Sequence, residues 1–319
     1  MRAENPQKAA SEATSTDGAS AVDVHKSLHE LVDLLSPHEC RHLLASVTKI
    51  TLGERFWEDD AAIFYNEYVK ARYATYTRHP ETLGGGDPLS KDGIYAPIPI
   101  EKSFRSAKRI ALPPPGELDQ TLRDVLLSRR SRRDESAVAL SLVELSTLLL
   151  YGYGTTGHVA AYGFNKVPLR TAPSSGGLQS TELYFFAQHV DGLEPGLYHF
   201  NCVDHAIELL KPGYDASVMR GWVPGQPQCA DAALIFVFAG CYDRLRWKYG
   251  ARSYRYMCMD IGFVCENLYL VAEAMGLAFC AVAGFIEDEL ETYLEIDGQG
   301  EMALLVAGLG PRTSLGPQD

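Results

Sequence analysis

The run from Tyr254 to Met275 constrains the fold more than any other stretch. Met257, Ile261, Val264, Leu268, Val271 and Met275 recur at steps of four and three, and Cys265, Tyr269 and Ala272 add a second apolar face. That spacing is the period of an α-helix, and Gly276 is placed to end it. A helix apolar on most sides is stable only when it is covered. It must lie in a core or between subunits, so the chain must supply a body large enough to bury it. With 319 residues it has length for one large domain, or one domain plus an accessory piece.

The rest of the pattern predicts an α+β fold, with a mixed central sheet flanked by helices. "ELDQTLRDVLLSRR" reads as a helix with Leu118, Leu122, Val125 and Leu126 on one face. Ser141 and Glu144 form a capping box at the head of a leucine-rich helix that stops at Gly152 and Gly154. "TELYFFAQHV" is a strand, and "GLYHFNCVDHAIELL" is a hairpin turning near Asn201–Asp204. "AALIFVFAG" is a continuous apolar strand, buried on both faces. "LAFCAVAGF" and "EMALLVAGL" are two further strands. The glycine- and proline-rich breaks "HPETLGGGDPLSKDG" and "IALPPPGELD" divide the chain. Residues 1–22 are expected to be a disordered tail, 23–115 a mostly helical accessory segment with helices over 23–60 and Ala61–Tyr76, 116–314 the main domain, and 315–319 a tail.

The formal net charge of −12 argues against binding to nucleic acid or an anionic membrane, because phosphate neutralisation needs a basic face. No run is apolar and long enough to span a bilayer, and the polar N-terminus lacks the apolar core of a secretory signal. Seven cysteines, an odd number without a C-x-x-C pair, read as reduced thiols of a cytoplasmic protein, most of them in apolar runs. His38 and His42 match the H-E-x-x-H zinc pattern, but no third ligand is evident, and both read as residues of a solvated helix face.

Against this acidic background, "SRRSRR" at 128–133 puts four arginines into six residues. In an extended chain Arg129, Ser131 and Arg133 share a face. Guanidinium forks beside a hydroxyl suit a phosphate monoester, although a solvated basic helix end, favoured by the helix dipole, explains the cluster equally well. "RTAPSSGGLQS" at 170–180 is a small-residue turn that lets backbone approach a flat ligand. Gly284 stands at a strand end, and "GLGPR" closes the last strand with Arg312.

Taken together and in this order, these segments resemble the FMN-dependent nitroreductase superfamily over about residues 116–312. Within it the phrases "RTAPSSGGLQSTELYF", "GLEPGLYHFNCVDHAIELL", "KYGARSYRYMCMDIGFVCENLYLVAEAMGLAFCAVAGF" and "LLVAGLG" resemble SagB-type dehydrogenases, the azoline oxidases of thiazole- and oxazole-containing peptides. The resemblance implies a nitroreductase-like FMN-binding fold whose long helix forms a homodimer interface. It implies that Arg129, Arg130, Ser131 and Arg133 hold the FMN phosphate and ribityl chain, with Arg312 closing the site. Pro173, Ser174, Ser175 and Gln179 would line the flavin, often from the partner subunit, and Gly284 would place backbone donors near the flavin N5 edge. Two departures affect the ring contacts: Gly177 stands where nitroreductases often carry Asn, and Ala283 where many carry an acid.

The resemblance also implies a catalytic pair, Lys248 and Tyr249. Oxidising an azoline sends a hydride to the flavin and a proton to a base, and a lysine serves as base only where burial or nearby cations lower its pKa. Arg246, Arg252 and Arg255 are the cations close in sequence. Tyr254 and Tyr256 read as core or pocket wall, and His199 and His205 as structural. The expected substrate is an azoline on a modified peptide or a carrier, with dioxygen as final acceptor and a cyclodehydratase as possible partner. A general NAD(P)H-dependent nitro or quinone reductase, a dipeptide desaturase and a non-catalytic flavin scaffold are the alternatives; no G-x-G-x-x-G follows a strand to suggest a dedicated NAD domain.

Overall fold

The computed structural model describes residues 99–134 and 138–313. The helices expected over 23–60 and Ala61–Tyr76, the two tails, and His38, Cys40 and His42 lie outside the described residues. In chain order the elements are β1 (Lys108–Ala111), α1 (Leu122–Ser128), α2 (Leu142–Tyr153), β2 (Thr155–Ala161), β3 (Phe164–Arg170), β4 (Thr181–Ala187), β5 (Gly196–Asn201), β6 (Ala206–Pro212), α3 (Ala216–Trp222), α4 (Pro227–Ala230), β7 (Leu234–Cys241), α5 (Asp243–Tyr249), α6 (Ser253–Ala274), β8 (Leu277–Val282), α7 (Glu287–Leu294) and β9 (Glu301–Pro311).

Seven strands form one sheet in the order β1-β6-β5-β4-β7-β9-β8, and β2 and β3 pair as a separate hairpin. The α+β class stands. The sheet is antiparallel in every ladder, however, where a mixed sheet was expected. Its neighbouring strands are joined by hairpins or by connections that reverse direction, and the parallel pairing among the described residues is the isolated bridge Leu140–Val190.

The strand β7 shows why the sheet is covered on both sides. Leu234, Phe236 and Phe238 pack with α2 and α6, while Ile235, Val237 and Ala239 pack with α3, α4 and α7. Period-two alternation between two apolar layers requires an apolar residue at every position. Each fully buried large side chain here stabilises the fold by about 1.5–3 kcal/mol. Close approach of α2 to α6 requires Gly152, whose Cβ would collide with the Leu268 side chain.

Two expectations change. The helix before the arginines begins only at Leu122, after Thr121, whose hydroxyl caps the Asp124 amide at 3.2 Å. Only Val125 of α1 is buried, and Leu122, Leu126 and Leu127 are exposed. Residues 99–115, grouped above with the helical segment, are strand and loop. There, β1 forms the sheet edge on β6, and Lys102 reaches Tyr184 and Glu301 at 2.7 and 2.5 Å. The capping box at Ser141, the hairpin at 201–206 and the strands β4, β7, β8 and β9 are as expected, whereas the β2–β3 hairpin has no counterpart in the sequence reading.

Candidate functional site

The turn at 173–180 is fixed by one carboxylate. Asp260, buried on α6, accepts from the Ser174 hydroxyl at 3.0 Å, the Ser175 hydroxyl at 2.8 Å and the Ser180 hydroxyl at 2.7 Å. It also accepts from the Ser175 backbone N–H at 2.9 Å. The α6 period dictates this inward position, because Asp260 shares the covered face with Met257, Ile261 and Val264. The Gln179 side chain is buried and donates to the Pro168 carbonyl at 2.9 Å, while its Oε1 has no hydrogen-bond partner. The serine hydroxyls are thus engaged inward, and Pro173 and Gly176 are the exposed residues of the turn.

Lys248 and Tyr249, at the last turn of α5, meet this same turn. Lys248 Nζ donates to the Tyr162 hydroxyl at 2.7 Å, and that hydroxyl donates to the Gly176 carbonyl at 2.6 Å. Lys248 Nζ also lies 4.7 Å from the Tyr162 ring centre and 5.2 Å from that of Tyr249. Gly176 has φ +63°, and a Cβ there would collide with the Tyr249 hydroxyl and stand 3.1 Å from Lys248 Nζ and 3.3 Å from the Tyr162 hydroxyl. The α-carbon of Gly176 is therefore the point on which three polar side chains converge.

The charge state of Lys248 differs from the expectation. Burial pulls its pKa down, but the Tyr162 and Tyr249 oxygens outweigh burial and raise it above the ordinary lysine value. Arg246 does not act on it as an unpaired cation, being paired with Asp243 at 2.9 Å. Tyr249 is also raised, by burial first, against the opposing pull of Lys248. Both groups hold their protons at neutral pH.

Arg244 sets the aim of this pair. It lies four residues before Lys248, on the same face of α5, and is buried. Its guanidinium donates to the Gln179 carbonyl at 2.7 Å, to the Pro99 carbonyl at 3.1 Å and to Glu182 at 2.5 Å. One side chain thus ties α5 to β4 and to the turn. Behind it, the fully buried His199 bridges Glu182 at 2.9 Å and Glu208 at 3.0 Å. Burial lowers the His199 pKa, but hydrogen bonds to the two carboxylates outweigh it and raise it. Burial would push Glu182 up, yet Arg244 and then His199 hold it well below the carboxylate range. Glu208 is held down to about 2: burial opposes this, but hydrogen bonds from His199, Asn201, the Phe104 amide and Ser103 prevail. His199 reads as structural from the sequence, which does not single out Arg244, Tyr162 or Asp260. No local motif marks them, because their partners lie far along the chain.

The arginine segment leaves α1 in extended form. Arg129 lies over the Tyr269 ring at 5.2 Å, and Ser131 Oγ is 3.0 Å from the Tyr269 hydroxyl. Arg132, on the opposite side, faces Glu273 at 3.6 Å. Glu273 is shared with Arg312 at 2.6 Å, and Arg312 also donates to the Leu277 carbonyl at 3.2 Å. Arg312, which the resemblance implies closes the phosphate site, is therefore tied to Glu273, a carboxylate it shares with Arg132. Arg130 donates to the Leu127 and Arg129 carbonyls. Among the described residues Arg129, Arg130 and Arg133 have no carboxylate partner, and Gly284 is exposed with open space around its α-carbon. Uncompensated guanidiniums beside a hydroxyl fit the donor set a flavin phosphate requires, and the glycine turn fits a flat ring. Tyr256 to Tyr269 is 13 residues along α6, a rise of about 20 Å at 1.5 Å per residue.

The nitroreductase family's model matches residues 126–310, more than half the chain, and the chain belongs to that family. Its members are typically flavin-dependent oxidoreductases. MJ1384, a nitroreductase-family protein of Methanocaldococcus jannaschii, is 32% identical over 189 residues, covering 59% of this chain and 90% of that one. The trifolitoxin-processing protein TfxB of Rhizobium leguminosarum is 28% identical over 52% of this chain and 46% of its own length. The microcin B17-processing protein McbC of Escherichia coli is 23% identical over 44% of this chain and 54% of its own. The chain thus spans about half the length of these two peptide-processing relatives. In fold it resembles a nitroreductase-family structure from Anabaena variabilis, with TM-score 0.56 and 22% identity over 70% of this chain and 45% of that one. Among the described residues no helix is long and apolar enough to cross a membrane, and no cluster of side chains is arranged to hold a metal.

Proposed function

We propose that this protein is an FMN-dependent dehydrogenase that converts thiazoline or oxazoline rings to thiazoles or oxazoles in peptide natural-product maturation. The observation that carries the proposal is the convergence of Lys248, Tyr249 and the 173–180 turn at Gly176. Similarity to two peptide-processing proteins supports the substrate class. Arg129, Arg130, Ser131 and Arg133 would hold the FMN phosphate, and the backbone of the turn and of Gly284 would face the ring. When bound, FMN would supply a two-electron acceptor for the azoline hydride, with dioxygen as the final acceptor. The chain's own task is the accompanying proton. Lys248 and Tyr249 form a coupled pair that accepts it once the pair has itself lost a proton.

A second copy of the chain suits the exposed face of α6, where Met259 and Phe263, four residues apart, are 48% and 41% exposed. Apolar side chains at helical spacing on so long a helix fit an interface between like subunits, with FMN held between the two. A cyclodehydratase that makes the azoline is the fitting partner enzyme.

The decisive experiment supplies a thiazoline-containing peptide to the flavin-loaded protein in air. Loss of two hydrogens from the ring, with hydrogen peroxide formed, is expected; an unchanged ring overturns the proposal. Similarity to MJ1384 favours one other reading, an NAD(P)H-dependent nitroreductase. Rapid flavin reduction by NADPH, with turnover of a nitroaromatic and none of the azoline, would establish it instead. The phosphate assignment has its own check. Arg129→Ala with Arg133→Ala is expected to give folded protein without visible flavin absorbance, and flavin retained at full occupancy would refute it.

A further inference from the structure

The tip of the β2–β3 hairpin is built at a conformational cost. Tyr162 and Gly163 have φ +53° and +80°, the pattern of a type I′ turn. That turn accepts Asn, Asp or Gly readily, whereas a bulky side chain at positive φ is an outlier that surrounding contacts must hold in place. Here those contacts are specific. The Tyr162 ring is buried and meets Trp247 edge-on at 5.7 Å. Its hydroxyl accepts from Lys248 Nζ at 2.7 Å and donates to the Gly176 carbonyl at 2.6 Å.

We infer that Tyr162 is a positioning residue for the Lys248–Tyr249 pair, its hydroxyl clamping the Lys248 ammonium to the Gly176 carbonyl and so fixing both the aim and the charge of that lysine. The inference rests on the proposed role of the pair and deepens it. The groups around Lys248 fit this division of labour. Tyr162 approaches from the hairpin and Tyr249 from α5. From α6 comes Tyr256, edge-on to Tyr249 at 5.0 Å, with the Arg255 guanidinium 5.3 Å from the Tyr256 ring. Among the described residues no carboxylate stands within ion-pair distance of Lys248. Its charge is therefore stabilised by phenol oxygens and rings, and Tyr162 is the group that also anchors it to the turn.

The test is Tyr162→Phe, which keeps the ring and deletes the hydroxyl. Lys248 is followed in the flavin-loaded protein by NMR of ¹³C-labelled lysine, its signal assigned by its loss in Lys248→Arg. The Lys248 titration is expected to move to lower pH in the variant. With an azoline substrate, the rising limb of the pH–rate profile is expected to move the same way, while the plateau rate falls about 10- to 100-fold as aim is lost. A residue with a purely structural role would lower the plateau and leave the limb where it is. An unchanged Lys248 titration in a folded variant overturns the inference. If the variant does not fold, the wild-type titration decides: a Lys248 midpoint at or below that of free lysine overturns it. If wild-type protein oxidises no azoline, the functional proposal fails, and the NMR titration still tests the clamp.

Discussion

Replacing Arg244 by methionine is expected to lower the melting temperature by roughly 6–20 °C, the largest stability loss of any single substitution near the site. Methionine keeps much of the volume, so the loss is electrostatic. Arg244 is 4% exposed and Glu182 2% exposed, and their ion pair closes at 2.5 Å. Removing one partner strands a buried carboxylate and costs about 3–5 kcal/mol. His199 remains on Glu182 at 2.9 Å and limits the damage. Adding Glu182→Gln to Arg244→Met is expected to recover part of the loss, because the stranded charge is then gone. The check is thermal unfolding of the two single variants and the double variant; a shift of less than about 2 °C for Arg244→Met would show that the pair contributes almost nothing.

The same network gives stability a definite pH dependence. Glu182 and Glu208 are held below their unfolded values, so their contribution is present above the ordinary carboxylate range. It is lost as pH falls, through about 2 in the case of Glu208. His199 is raised, so its contribution is complete below the unfolded histidine value and is lost as pH rises through its higher folded value. Stability therefore erodes on the acid side through the carboxylates and on the alkaline side through His199.

The parts of this architecture that sequence made legible share a cause. Strand β7 and helix α6 are so apolar that only a covered position suits them, and the structure covers β7 on both faces and α6 along Met257, Ile261, Val264 and Leu268. The capping box at Ser141 is local chemistry and reads directly. Where sequence reasoning failed, the deciding contact was distant. Leu122 and Leu126 look like a core face beside Val125, yet nothing among the described residues covers them. The serines of "PSSGG" are expected to line a ligand, yet Asp260, 85 and 86 residues later, takes their hydroxyls. Lys248 seemed set among arginines that would depress its pKa, but its nearest polar neighbour is Tyr162, 86 residues earlier. The Lys–Tyr pair thus comes from the resemblance, and the cations close to it in sequence suggest the opposite electrostatics from those its distant partners impose.

Those electrostatics shape the second large effect. Lys248→Ala is expected to lower azoline oxidation about 10²- to 10⁴-fold, the range typical of losing a general acid–base group. Flavin content should be unchanged, because the arginine segment sits on Tyr269, far along α6 from Tyr256. Tyr249→Phe is expected to fall in the same range, since the proton belongs to the pair and either deletion breaks it. In wild-type protein the rate should climb from neutral into alkaline pH. The raised pKa of both groups keeps the pair fully protonated at neutrality, and the accepting form appears only as a proton leaves. Lys248→Arg separates charge from proton transfer, because a guanidinium stays protonated across this range. Loss of activity in Lys248→Arg comparable to that of Lys248→Ala identifies the lysine as a site of proton transfer. Retention of most activity, with the alkaline rise intact, reduces Lys248 to a fixed cation and leaves Tyr249 as the acceptor. Full activity in all three variants with flavin bound would remove the pair from the mechanism.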